Sequence, residues 1–188
     1  VADLSCLGAV SEIPDEEEVL AIVEPYFEAA KELYLEFSDR HGLKTKALSK
    51  VRLECQREIH DTPRHFAGAS TDGRLIAVAP QIVHLPEDTV AAILAHEFGH
   101  ITDFIHAGQF ICNAEDRRLV WMPDAGDDYR SERTRVARVR QWSQRDDHCI
   151  EVTADLIAEK VIGKRIGYSG PCLLQGFSRG VPRPKTLT

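Results

Sequence analysis

The chain of 188 residues has the length of one ordinary domain, and with 43% hydrophobic and 28% charged side chains it has the balance of a soluble globular protein. This composition excludes a disordered chain, a collagen-like repeat and a membrane-spanning helix, since no apolar run approaches the roughly 18 residues that a span needs. Thirty acidic against 23 basic side chains leave a net charge of −7, which argues against a surface given over to nucleic acid or anionic lipid.

Residues 1–10 have neither the basic flank nor the unbroken apolar core of a signal peptide, so a cytosolic protein is expected. Five cysteines (Cys6, Cys55, Cys112, Cys149 and Cys172) are widely spaced with no CxxC pair, and they read as free, mostly buried thiols. From Pro14 to His41 the apolar positions Val19, Val23, Tyr26, Phe27, Ala30, Leu33, Tyr34 and Phe37 recur at helical spacing. Asp15 and Glu16 to Glu18 suit the positive end of that helix, and His41-Gly42 is a fitting stop. Between Ser49 and Pro80 the period changes to two. Val51 to Cys55 and Leu75 to Val78 are expected strands, with a hairpin across Thr71-Asp72-Gly73.

Pro86, Glu87 and Asp88 open a second helix running to about His106 and closed by Gly108. Residues 111–128 lack periodicity and read as a loop. Arg130 to Arg145 reads as a helix whose arginines pair with acids such as Glu132, Asp146 and Asp147. A further helix starts at Asp146 or Asp147 and ends near Gly163, and the Gly- and Pro-rich tail 165–188 is expected to be irregular. With no internal repeat or linker, residues 1–188 form one domain of the α+β class: a small, mostly antiparallel sheet with the first helix and the two later helices on one side.

The informative segment is His96-Glu97-Phe98-Gly99-His100, an HExxH pattern inside a helix. At 100° per residue, His96 and His100 lie about 40° apart and one turn along the same face, so two imidazoles can converge on one ion. Glu97 sits at the edge of that face, where its carboxylate can reach a metal-bound water without being a ligand. Asp103 shares the face and is a candidate to orient an imidazole from behind. Gly99 is unfavourable in a helix interior but lets another element approach, and Leu94, Phe98, Ile101 and Ile105 form the opposite, packing face. A zinc site with an open position needs a third protein ligand. Glu151 in Glu151-Val152-Thr153-Ala154-Asp155 offers one. Asp155, one turn on, can accept the free ring N–H of a ligand histidine, while Ala154 and Ala158 permit close helix approach. His148 lies near Glu151 and is a candidate oxyanion donor or replacement ligand.

HExxH on one helix with ExxxD on a later one resembles the gluzincin metallopeptidases, and the short chain is similar to minimal, single-domain members of the kind found in phage and bacterial genomes. The resemblance implies a zincin-like fold, one Zn²⁺ per chain held by His96, His100 and Glu151, Glu97 as general base and Asp155 behind a ligand histidine. It also implies an extended peptide or protein substrate added to an edge strand just before the HExxH helix, here Arg74 to Ala79. The sequence departs from larger members in having about 50 residues between His100 and Glu151 and no large C-terminal domain. The transition-state-stabilising His or Tyr of that domain is therefore unassigned, with His148 and Tyr168 as candidates. The expected function is zinc-dependent peptide-bond hydrolysis. The alternatives are a regulatory protease selective for one partner or repressor, and a non-catalytic zinc-containing binding module that contacts nucleic acid through its arginines.

Overall fold

A computed structural model describes residues 14–43, 45–57, 66–70, 72–106, 110–113, 118–121, 144–145 and 147–163, with the backbone alone for 111–113, 120–121 and 147–148. The expected helix over 130–145 (apart from its last two residues), the tail beyond 163 and Tyr168 lie outside the described residues.

The first helix, α1, spans Glu16–Arg40, and its N-cap Asp15 accepts a hydrogen bond from the Glu18 N–H at 2.9 Å. That bond satisfies one of the four N–H groups a helix start leaves unpaired. At the other end Gly42 adopts φ +66°, which lets the Leu43 N–H turn back onto the Ser38 carbonyl at 2.8 Å. Val19, Val23, Phe27, Ala30, Tyr34 and Phe37 form the buried face, as their spacing predicts. A single turn, α2 (Thr45–Leu48), leads into the sheet.

The sheet has three short strands, β1 (Arg52–Cys55), β2 (Ala67–Ala69) and β3 (Leu75–Val78), in the order β1-β3-β2. β1 runs parallel to β3, with Arg52 opposite Leu75, and β2 runs antiparallel to it, with Ala67 opposite Val78. A hairpin does cross the expected turn, but its first strand is β2; the expected partner, β1, runs parallel to β3, so this sheet is mixed and not mostly antiparallel. The hairpin turn is held by the Ser70 hydroxyl, which accepts from the Arg74 and Leu75 N–H groups and donates to Asp72, and by Gly73 at φ +69°. Two further expectations are corrected. β3 is the central strand and not an edge, because backbone bonds to β1 and β2 occupy both of its sides. The stretch 111–128 is not simply a loop, since β4 (Phe110–Asn113) and β5 (Arg118–Trp121) pair as an antiparallel hairpin.

Next along the chain from β3, a 3₁₀ turn (Pro80–His84) leads into α3, Glu87–Ile105; the last described helix, α4, spans Asp147–Ile162 and ends at Gly163 with φ +73°. α3 lies at the centre. Leu94, Phe98 and Ile101 are fully buried, and the Phe98 ring packs on Phe27 and Tyr34 of α1 at centroid distances of 5.3 and 5.4 Å. Burying side chains of this size contributes about 1.5–3 kcal/mol each, which fixes α3 through one face and leaves the other for α4. Ile157, Ala158 and Val161 of α4 join the same core as Ile76 and Val78 of β3. Among the described residues no helix is long and apolar enough to cross a membrane.

Candidate metal centre

α3 and α4 meet where a side chain is missing. A Cβ built on Gly99 would lie 2.4 Å from the Ala154 carbonyl oxygen, so only glycine permits this approach. His96 of α3 pairs with Asp155 of α4, Gly99 faces Ala154, and Asp103 is joined to Thr153 through Arg145. Ascending numbers on α3 thus meet descending numbers on α4, and the helices cross antiparallel.

Within that crossing His96, His100 and Glu151 each offer one ligand atom, all within 4.8 Å of one another. The Glu151 carboxylate faces both rings: Oε2 lies 3.1 Å from His96 Nε2 and Oε1 lies 3.5 Å from His100 Nε2. Two ligands at about 2.0–2.1 Å from a tetrahedral ion stand about 3.3–3.4 Å apart, so these separations suit a metal held between the three. Two imidazole nitrogens and one carboxylate oxygen form a donor set suited to a first-row divalent ion, and the group could hold a metal. One wall is closed and the other open, since the His96 side chain is 10% exposed and that of Glu151 is 40% exposed.

Asp155 Oδ1 lies 2.7 Å from His96 Nδ1 and is itself buried. His96 therefore donates its Nδ1 proton to Asp155 and turns Nε2 towards the cluster. Glu97 is buried and close enough for its charge to act on His96 and Tyr34, but it stands outside the three-ligand group. Asp103 is engaged by the guanidinium of Arg145, an arrangement that helical spacing alone does not reveal. His148 lies in the first turn of α4, and its side chain is outside the described residues. Cys55 and Cys149 are in no disulfide and are half-buried.

Three contributors were not singled out by sequence. Tyr34 donates its buried hydroxyl to the Ala95 carbonyl at 2.6 Å, tying α1 to the residue before His96. Burial, with the nearby charges of Asp155 and Glu97, pushes its pKa well above the usual tyrosine value, so it stays a donor. Its helical spacing marks it as a core position, but no local signal marks its hydroxyl. Arg145 and Thr153 are the other two: from sequence Arg145 is expected to pair with an acid but not with Asp103 of α3, and Thr153 is marked only by its nearness to Glu151.

Burial alone would depress the His96 pKa. The carboxylates of Asp155 and Glu151 on its two nitrogens outweigh that and raise it to about 10 from an ordinary 6.5. The two imidazoles hold Glu151 well below the carboxylate range despite its desolvation. The His96 contribution to the stability of the metal-free fold is then complete below pH 6.5 and lost as pH rises through about 10. That of Glu151 is present above pH 4.5 and fades as pH falls towards its lowered value. Urea melts of metal-free protein should show the midpoint falling between pH 7 and 10, and His96→Gln should flatten that fall. An unchanged slope in the variant would dissociate His96 from the effect. Separately, Asp155→Ala should keep the fold and lower metal affinity by about 10–100-fold in competition with a chromophoric chelator. Parental affinity would show that Asp155 does not orient the ring.

Neither a protein-family model, a curated protein nor a solved structure matches the chain.

Proposed function

We propose that this protein is a zinc-dependent metallopeptidase of the minimal gluzincin kind, with His96, His100 and Glu151 as protein ligands of one zinc and Glu97 as general base. The observation that carries the reading is the convergence of two imidazoles and a carboxylate from separate helices, with a further buried carboxylate beside them but outside the ligand group. Zinc bound there would act as a Lewis acid and lower the pKa of a coordinated water towards about 7. Glu97 takes the proton of the attacking water on its carboxylate and passes it to the nitrogen of the departing amine. Asp155 keeps the Nδ1 proton of His96 in place, and the half-exposed Glu151 side leaves room for a substrate carbonyl.

The strand that receives an extended peptide in this reading is β2. Phe66, Gly68 and Ser70 direct their backbone groups to β3, so by antiparallel alternation those of Ala67 and Ala69 point to the opposite edge. Cys55 and Cys149 are thiols and not disulfides, which suits a reducing compartment and a cytosolic enzyme. The test is zinc stoichiometry together with digestion of a peptide library by the zinc-loaded protein and its Glu97→Gln variant. A zinc-loaded parent that cleaves nothing in the library, or a parent that retains no zinc, would overturn the reading.

A further inference from the structure

Arg145 takes no part in the chemistry above, yet it sits just before α4 with a side chain only 12% exposed. Desolvating a guanidinium is costly unless its protons are taken up, and here two elements take them. Nη2 donates to Asp103 Oδ2 on α3, and Nη1 donates to Thr153 Oγ1 on α4 at 3.1 Å. The Thr153 hydroxyl in turn donates to the Cys149 carbonyl one turn back, at 2.7 Å. The guanidinium therefore spans the helix crossing from the side of α4, since Thr153 stands about 200° around that helix from Glu151.

The position of this bridge matters because of the other two pins. The Gly99–Ala154 contact fixes how closely the helices approach but does not by itself set the rotation of α4 about that point. The His96–Asp155 bond holds one side of the pivot, and the Asp103–Arg145–Thr153 bridge holds the other. Glu151 itself is 40% exposed, and its bonds given by the structure are those to the two imidazoles. Its place opposite them is thus inherited from the pose of α4. We propose that Arg145 is a positioning residue, which locks the rotation of α4 on α3 and so holds the Glu151 carboxylate at metal-binding distance from His96 and His100. This rests on the reading of those three residues as metal ligands.

The test compares the parent with Arg145→Ala, Arg145→Lys and Thr153→Val, using zinc alone as the probe and chelator competition as the readout. Arg145→Ala should weaken zinc binding by about 10-fold or more, the range seen when a partner behind a ligand is lost. Lysine restores charge but not the two-armed geometry and should rescue only part of the loss. Thr153→Val keeps the shape of α4 while cutting one arm, and it decides the matter if Arg145→Ala fails to fold. Amide exchange in zinc-free Arg145→Ala should rise around residues 150–155 and stay at the parental level in α1. If the parent binds zinc, parental affinity in the folded variants overturns the proposal, even where overall stability has dropped. If the parent binds no zinc, the metal reading falls on its own. The proposal is then decided by exchange: a rise confined to the start of α4 supports the lock, and an unchanged or uniformly raised pattern overturns it.

Discussion

Glu97→Gln should retain zinc as the parent does and hydrolyse peptides at least about 10²-fold more slowly, the low end for loss of a general acid–base group. The substitution keeps the size of the side chain and a polar tip, so it disturbs little in a position that is 7% exposed. It removes the basicity. Because Glu97 stands outside the ligand group, its loss should leave the metal in place, whereas His96→Ala should lose metal and activity together. Zinc content measured on the same preparations as the digest separates the two effects. Cleavage of a confirmed substrate by purified Glu97→Gln at the parental rate would remove Glu97 from the mechanism while leaving the metal site standing.

Gly99→Ala should do more damage than its single methyl suggests. In an isolated helix the change would stabilise by about 1 kcal/mol. Here the new Cβ would lie 2.4 Å from the Ala154 oxygen and 2.9 Å from its carbonyl carbon. The obstacle is backbone, so trimming a side chain on α4 offers no relief, and the helices must separate by roughly an ångström to restore contact at van der Waals distance. Overpacking of this kind usually costs about 1–3 kcal/mol, which outweighs the gain in propensity. The separation acts directly on the site, since the 2.7 Å His96–Asp155 bond and the 3.1 Å His96–Glu151 contact both cross the same interface. The expected result is a lower urea midpoint and a zinc affinity reduced beyond that of Asp155→Ala. A Gly99→Ala protein with parental stability and affinity would mean that the helices do not approach as described.

What the sequence disclosed follows from which forces are local. α1, α3 and α4 carry apolar residues at helical spacing over four or more turns, and their signal survives because each buries one face. Gly99 and Ala154 were legible as a close approach because small residues beside a polar stripe have few other uses in a helix. The sheet was harder. β2 is Ala-Gly-Ala, with no preference for extended structure, and it exists through pairing with β3. The placing of β3 at the edge followed from taking the strand just before the HExxH helix as the outer one; sequence order does not set spatial order, and the three-residue β2 lies outside it. β4 and β5 are four residues each, too short for alternation to register. Asp103 shows the same limit at the site. Its spacing places it on the histidine face, but only the arrival of Arg145 from another element determines what its carboxylate holds.

The pairing of two helices so far apart in sequence also sets an order of assembly. Phe27, Tyr34, Ile76, Leu94, Phe98 and Ile101 all precede residue 106, so much of the core and both histidines leave the ribosome before any of α4 exists. Glu151 follows His100 by about 50 residues, a delay of roughly 3–10 s at ordinary rates of synthesis. During that interval the nascent chain presents two imidazoles without the carboxylate of Glu151. In the proposed metal reading, the cradle stays half-built until the last described helix closes on Gly99, and retention of an ion would wait for that step.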